Sequence, residues 1–208
     1  MQSTGTVFVI DDDEAVRESL RLLLETSGYK VATYSSGRAF FATLPATALG
    51  CVLVDVRMPE MGGFEVQQEL QRRGIGLPVI VMTGHGDVPL AVRAMKAGAT
   101  DFIEKPFSDE LICSTIERAL KLDQASQDER ATIAKTRERA AQLTPREREV
   151  LEHLVAGHPN KVIAHKMSIS PRTVEIHRAR VMEKMQARSL SELVRMSLEA
   201  RVLSDVGE

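Results

Sequence analysis

Five residues in the first half of the chain could do chemistry together: Asp11, Asp12, Asp55, Thr83 and Lys105. Each stands at the carboxyl end of a short apolar run. TVFVI leads into Asp11 and Asp12, CVLV into Asp55, PVIVM into Thr83, and DFIE into Lys105. Two carboxylates ~4 Å apart repel by roughly 4 kcal/mol at an effective dielectric of about 20, so an acid cluster at a buried strand end calls for a positive partner. Three carboxylates suit a hard divalent cation such as Mg2+, which takes oxygen ligands and keeps waters. A hydroxyl and an ammonium beside it suit a phosphoryl group. A carboxylate can itself be the nucleophile and become an aspartyl phosphate, and in-line transfer then needs mainly positioning and charge neutralisation.

The elements that must position these groups follow from periodicity. Thr6–Ile10, Lys30–Tyr34, Cys51–Asp55, Pro78–Thr83 and Asp101–Lys105 read as strands. Helical patterns lie between them. Val16, Leu20, Leu23 and Leu24 recur at i, i+4, i+7 and i+8 before Gly28, and PLAVRAMKAG repeats the pattern up to Gly98. Five strands alternating with helices predict an α/β unit with a parallel sheet covered on both faces. Such sheets bind ligands outside the carboxyl ends of their strands, which is where all five residues stand. Asp13 and Glu14 read instead as the solvated first turn of the next helix, where carboxylates favour the positive dipole end. His85 reads as a surface-loop residue.

The chain has 208 residues and a net charge of −2, room for one large domain or two small ones. Its charge is unevenly placed: seven basic residues face two acidic ones between Asn160 and Arg188. The two cysteines, Cys51 and Cys113, have no metal-ligand spacing. No apolar run approaches the ~20 residues that cross a bilayer, and no signal peptide is evident. These features predict a soluble, cytoplasmic protein with no membrane partner.

From Leu122 to Gln142 the sequence is polar, rich in alanine and charge, and free of Gly and Pro. It reads as a linker, helical or a flexible tether, between residues 1–121 and 143–208. The last part has no strand signal. Thr144-Pro145-Arg146-Glu147 and Ser189-Leu190-Ser191-Glu192 are capping-box helix starts, and NKVIAHKM and the segment opened by Ser170-Pro171 complete four short helices. A short helix, a turn at MSISP and a cationic third helix suit a two-helix reader of the DNA major groove. Lys161, Arg172, Arg178, Arg180 and Lys184 are candidates to neutralise phosphates. Asn160 and Thr173 are candidates to hydrogen-bond them, and His177 reads either as a phosphate contact or as a packing residue.

The Asp pair, DVRMPEMGG around Asp55, TGHGD and EKPF resemble the receiver domain of two-component response regulators. LTPREREVLEHLVAGHPNKVIAHKMSISPRTVEIHRARVMEKM resembles the LuxR-type helix-turn-helix module. Together they are similar to the FixJ branch of the FixJ/NarL response regulators. The resemblance implies a flavodoxin-like, doubly wound sheet of order 2-1-3-4-5 followed by a four-helix, all-α DNA-binding domain. It implies Asp55 as phospho-acceptor, with Mg2+ held by Asp11, Asp12, Asp55 and the backbone carbonyl of Arg57. Thr83 and Phe102 would be the switch residues, Lys105 the phosphoryl contact, and the Lys105–Pro106 bond cis. A dimer face near Val92, Lys96 and Asp101 is implied, with Glu175, Ile176 and Ala179 at base edges and Arg178 or Arg180 as guanine readers. The implied partners are a sensor histidine kinase of the haem oxygen-sensing kind, promoter DNA, a second copy of the chain, and RNA polymerase. The implied role is oxygen-responsive control of nitrogen-fixation or microaerobic genes, with no enzymatic activity beyond slow self-dephosphorylation.

Two other classes compete. A Mg2+-dependent phosphohydrolase would use the same aspartyl phosphate, but it predicts a second acid shortly after the nucleophile, and Val-Arg-Met follows Asp55. A constitutive DNA-binding protein with a vestigial receiver predicts loss of the acid pair, Thr83 or Lys105, and all are present.

Overall fold

The computed structural model describes residues 5–45, 47–84 and 88–203. The chain divides into two compact units, Met1–Gln127 and Asp128–Glu208. The first alternates β1 (Thr6–Ile10), α1 (Glu14–Thr26), β2 (Lys30–Tyr34), α2 (Gly37–Thr43), β3 (Gly50–Asp55), α3 (Gly63–Arg72), β4 (Val79–Thr83), α4 (Val88–Lys96), β5 (Asp101–Glu104) and the start of α5 (Asp109–Ala141). The strands are all parallel, in the order β2-β1-β3-β4-β5, as the family resemblance implied. β2 lies on one side of β1 and β3 on the other. The winding therefore reverses between β1 and β3, the position at which open α/β sheets bind their ligands.

Side-chain alternation sends each strand into two cores. Phe8, Ile10, Val52, Val54, Val79 and Val81 pack with Phe40, Phe64, Val66 and Leu70 on the α2–α3–α4 side. Val7, Val9, Cys51, Leu53, Ile80 and Met82 pack with Leu20, Leu24, Ile112 and Ile116 on the α1–α5 side. Both faces are covered, which is why the strands read as unbroken apolar runs rather than as alternating ones. Burial pushes the Cys51 thiol up to about 12, so this cysteine is an inert packing residue.

Helix α5 continues through residues 122–141, the polar stretch that read as a linker. The second unit holds the end of α5 and then α6 (Pro145–Val155), α7 (Asn160–Met167), α8 (Pro171–Met185) and α9 (Leu190–Glu199) around a core of Val150, Leu151, Ile163, Val174, Val181 and Leu193. Thr144 and Glu147 form the complete capping box. At α9 only half of the expected box forms: Ser189 accepts from the Glu192 N–H, while the Glu192 carboxylate reaches one residue further back, to the Arg188 N–H. Among the described residues no helix is long and apolar enough to cross a membrane.

Candidate phospho-acceptor site and nucleic-acid interface

Strand β1 ends at Ile10 and strand β3 at Asp55, adjacent and parallel, with Ile10 paired to Val54. Asp11 and Asp55 therefore leave the sheet side by side. Lys105, one residue beyond β5, is held by its backbone N–H on the Thr83 carbonyl at 2.7 Å. Its ammonium donates to Asp11 Oδ2 and to Asp55 Oδ1, each at 2.7 Å. The two carboxylate oxygens thus lie no further apart than twice that distance. Burial opposes the charge on Lys105, but the two carboxylates outweigh it and raise its pKa above the ordinary lysine value. The second oxygen of Asp55 accepts from the Arg57 N–H at 2.7 Å, and Asp11 Oδ1 accepts from the Asp13 N–H at 3.0 Å. The Lys105–Pro106 peptide is cis.

The other expected members of the site are placed differently. Asp12 is exposed at the rim. Among the described residues no three His, Cys, Asp or Glu side chains are already gathered as a metal cluster. Thr83 is buried at 1% exposure at the end of β4, the strand next to Asp55. Phe102, on β5, is half-buried against the α2–α3–α4 core. His85 lies outside the described residues.

One participant escaped the sequence reading. Arg17, one turn into α1, donates from Nη1 to the backbone carbonyls of Asp11 at 2.8 Å and Asp12 at 3.0 Å. A basic residue five or six positions after an acid pair, on the helix that follows it, is the signal that could have found it. Asp13 also has a more definite role than a solvated position. It is the N-cap of α1, accepting from the Ala15 N–H at 2.8 Å.

The donor set fits Mg2+. Asp11, Asp12 and Asp55 bring three carboxylates to the site, and among the described residues Lys105 donates to two of them while Arg17 is tied to the backbone carbonyls beside them. The site presents hard carboxylate and carbonyl oxygens, the donors this ion prefers.

In the second unit, α7 ends at Ser168 in the left-handed conformation, with φ 55°. Ser170 then caps α8, accepting from the Thr173 N–H at 3.0 Å. Val174, Val181 and Met185 bury one side of α8. This leaves Arg172, Glu175, Ile176 and Ala179, spaced i, i+3, i+4 and i+7, lining a shallow depression on the exposed side. Lys161 and Arg180 are also exposed. His177 is half-buried, with its Nδ1 buried and unpartnered. Arg178 is half-buried and donates to the Asn160 side chain at 3.4 Å, joining α8 to the start of α7. Thr173 shares its hydroxyl with Ser170 at 2.8 Å.

Lys184 requires a correction. Its ammonium lies 2.6 Å from the Glu147 carboxylate, which is 2% exposed, and 3.2 Å from the Gln142 carbonyl. It neutralises a buried acid of the capping box and is not available to a DNA phosphate. The Glu147 carboxyl would be raised by burial, but Lys184 and Thr144 outweigh this and hold it below the ordinary carboxylate range.

Near the expected dimer face, Val92 and Lys96 are exposed on α4. Asp101 pairs with Arg118 and accepts from the Phe102 N–H. Arg93 stacks its guanidinium 4.3 Å from the centre of the Phe64 ring.

Comparison with known proteins places this geometry. The response regulator receiver domain matches residues 7–117, and the luxR family of bacterial regulatory proteins matches residues 141–197. The transcriptional regulatory protein FixJ of Bradyrhizobium diazoefficiens is 47% identical, over 99% of this chain and 100% of that protein. FixJ of Azorhizobium caulinodans is 54% identical, over 97% and 96%. The tetrathionate response regulatory protein TtrR of Salmonella typhimurium is 45% identical, over 92% and 91%. Among solved structures, the response regulator StyR superposes with a TM-score of 0.81 at 39% identity, covering 94% of this chain and 98% of that one. Full-length FixJ from B. japonicum superposes at 0.59 with 47% identity, covering 97% and 100%.

Proposed function

Since this chain belongs to the response regulators that join a receiver to a LuxR-type DNA-binding domain and is a FixJ-like transcriptional regulator, we propose that it is switched by phosphorylation of Asp55. The donor is the phosphohistidine of a sensor kinase. An Asp55 carboxylate oxygen forms a bond to phosphorus as the phosphorus–nitrogen bond breaks, and the imidazole keeps the electron pair. The observation that carries this reading is the convergence of Asp11, Asp55 and Lys105 at the switch point of the sheet.

Asp11, Asp12, Asp55 and the Arg57 carbonyl would hold Mg2+, which when bound neutralises charge on the phosphoryl oxygens. Lys105 supplies a second positive charge to the same group. Arg17 holds the backbone that carries the acid pair. Thr83, buried beside the acceptor, offers its hydroxyl to the phosphoryl group, and Phe102 follows it toward the core. An open apolar groove of about 700 Å³ between α1 and Lys105–Phe107, lined by Val16, Leu20, Leu23 and Phe107, adjoins the site and suits docking of the kinase helices.

Phosphorylation then favours dimerisation through the face of Val92, Lys96 and Asp101. The dimer presents two copies of α8 to a roughly twofold promoter site. The likeness to FixJ supports an oxygen signal from a haem-bearing kinase. The 45% identity to a tetrathionate response regulator makes phosphotransfer from a defined kinase the measurement that decides the stimulus. The chain acts as a phosphoryl acceptor rather than as a turnover enzyme, and its site of action is the cytoplasm. Gel filtration and DNA binding with and without a small phosphodonor test the switch. Both should change for the wild type and neither for Asp55→Asn; no change in the wild type would overturn the reading.

A further inference from the structure

The exposed side of α8 combines an uncovered aliphatic side chain with an uncommitted acid. Ile176 is 49% exposed, in the middle of the depression lined by Arg172, Glu175 and Ala179. The buried stripe of Val174, Val181 and Met185 on the other side of the helix fixes this orientation. Ile176 is therefore not core that has turned outward. Glu175 is exposed and forms no ion pair among the described residues, although Arg172 and Arg178 stand three positions to either side of it. Arg178 is turned sideways onto Asn160, so the centre of the face is aliphatic and acidic rather than cationic.

A major-groove edge is the ligand this centre fits. The flanking cations Lys161, Arg172 and Arg180 match a polyanion, and the aliphatic centre matches the one apolar group that a base edge presents, the thymine C5-methyl. A carboxylate held against DNA is tolerated where it can accept a hydrogen bond. Cytosine N4 is such a donor, whereas guanine presents only the O6 and N7 acceptors. We propose that Ile176 reads a thymine methyl and that Glu175 selects cytosine and rejects guanine at a neighbouring position, which makes these two residues the specificity determinants of the operator half-site.

This inference rests on the DNA-binding reading, and the test separates the two. The full chain, treated with Mg2+ and a small phosphodonor, is used to enrich binders from random-sequence duplex DNA. Each thymine of the enriched half-site is then replaced by deoxyuridine, which removes only the methyl. At one position wild-type binding should weaken about fourfold, the worth of one buried methyl-sized group. Ile176→Ala should bind both versions alike. Glu175→Gln should shift the preference at the neighbouring position from cytosine toward adenine, since an amide pairs with adenine N6 and N7. Both positions are exposed, so the variants keep the fold, and an unchanged circular dichroism melt checks this. Wild-type binding indifferent to every methyl, or Ile176→Ala as methyl-sensitive as the wild type, would overturn the inference while leaving DNA binding intact. Enrichment of no sequence at all would overturn both.

Discussion

The carboxylate of Asp123 accepts a hydrogen bond from the backbone N–H of Gly50 at 2.9 Å, across 73 positions of sequence. Gly50 opens β3, the strand that ends in Asp55, and Asp123 is 4% exposed on α5. Gly50 has φ 141°, and a Cβ there would lie 1.9 Å from the Thr6 carbonyl oxygen, so no larger residue could begin this strand. The polar stretch after residue 121 thus contributes a buried acceptor to the sheet.

Asp123→Ala should therefore destabilise the first unit by about 1–3 kcal/mol, the cost of a buried N–H left without its acceptor. Asp123→Asn, which keeps an acceptor oxygen, should cost less. A fragment ending at residue 127 should be more stable in urea than one ending at residue 121. Equal midpoints for the two fragments would show that this hydrogen bond is dispensable.

Substitutions across the acid run should separate by role. Asp12→Ala should abolish Mg2+-dependent phosphorylation. Asp13→Ala should keep it and lose about 1 kcal/mol of stability, the usual worth of an N-cap. Arg17→Ala should raise the Mg2+ concentration needed for half-maximal phosphorylation several-fold, with little change at saturating Mg2+, because Arg17 holds the backbone of Asp11 and Asp12 rather than the phosphoryl group. A Mg2+ titration of each variant, followed on Phos-tag gels, distinguishes the three.

Two basic residues of α8 should part company. Arg180→Ala should lower the slope of log affinity against log salt by about one, since one phosphate contact is lost, with no change in stability. Lys184→Ala should leave the slope unaltered and destabilise the second unit by roughly 2 kcal/mol, between the cost of breaking an exposed and a buried ion pair.

His153 sets an acid limit on the second unit. Burial lowers its pKa, and the nearby His158 and Lys166 act in the same direction. The His153 and His158 ring centres are 5.2 Å apart, and Lys166 Nζ lies 3.2 Å from His158 Nε2. The folded state thus binds this proton less readily than the unfolded chain does. Stability is full above the ordinary histidine value of 6.5 and falls as the pH drops through it. Thermal melts between pH 7.5 and 5.5 should show this loss, and His153→Gln should flatten it. Equal slopes in both proteins would exclude His153 as the cause.

The strand ends were legible because each apolar run stops at a chemically distinctive residue, and parallel packing brings such ends together. The capping box at Thr144 and the N-cap at Ser189 were legible because they are local patterns, although the Glu192 half of the second box goes to the Arg188 N–H instead. Arg17 was hidden because its acceptors are backbone carbonyls, which have no letter in the sequence. Asp123 was hidden because one buried acid in a polar stretch has the same composition as an exposed one. Lys184 was misread for the converse reason: its charge is visible, but its partner Glu147 lies 37 positions away and is found only when α6 and α8 pack. Local chemistry could be read directly, whereas long-range pairing could not.

Both oxygens of Asp55 already accept a hydrogen bond, one from Lys105 and the other from the Arg57 N–H. In the proposed phosphotransfer these two bonds aim the nucleophile. Each oxygen keeps a further acceptor position, so Lys105 and the Arg57 N–H fix the direction of the carboxylate while leaving lone pairs for a cation and for phosphorus.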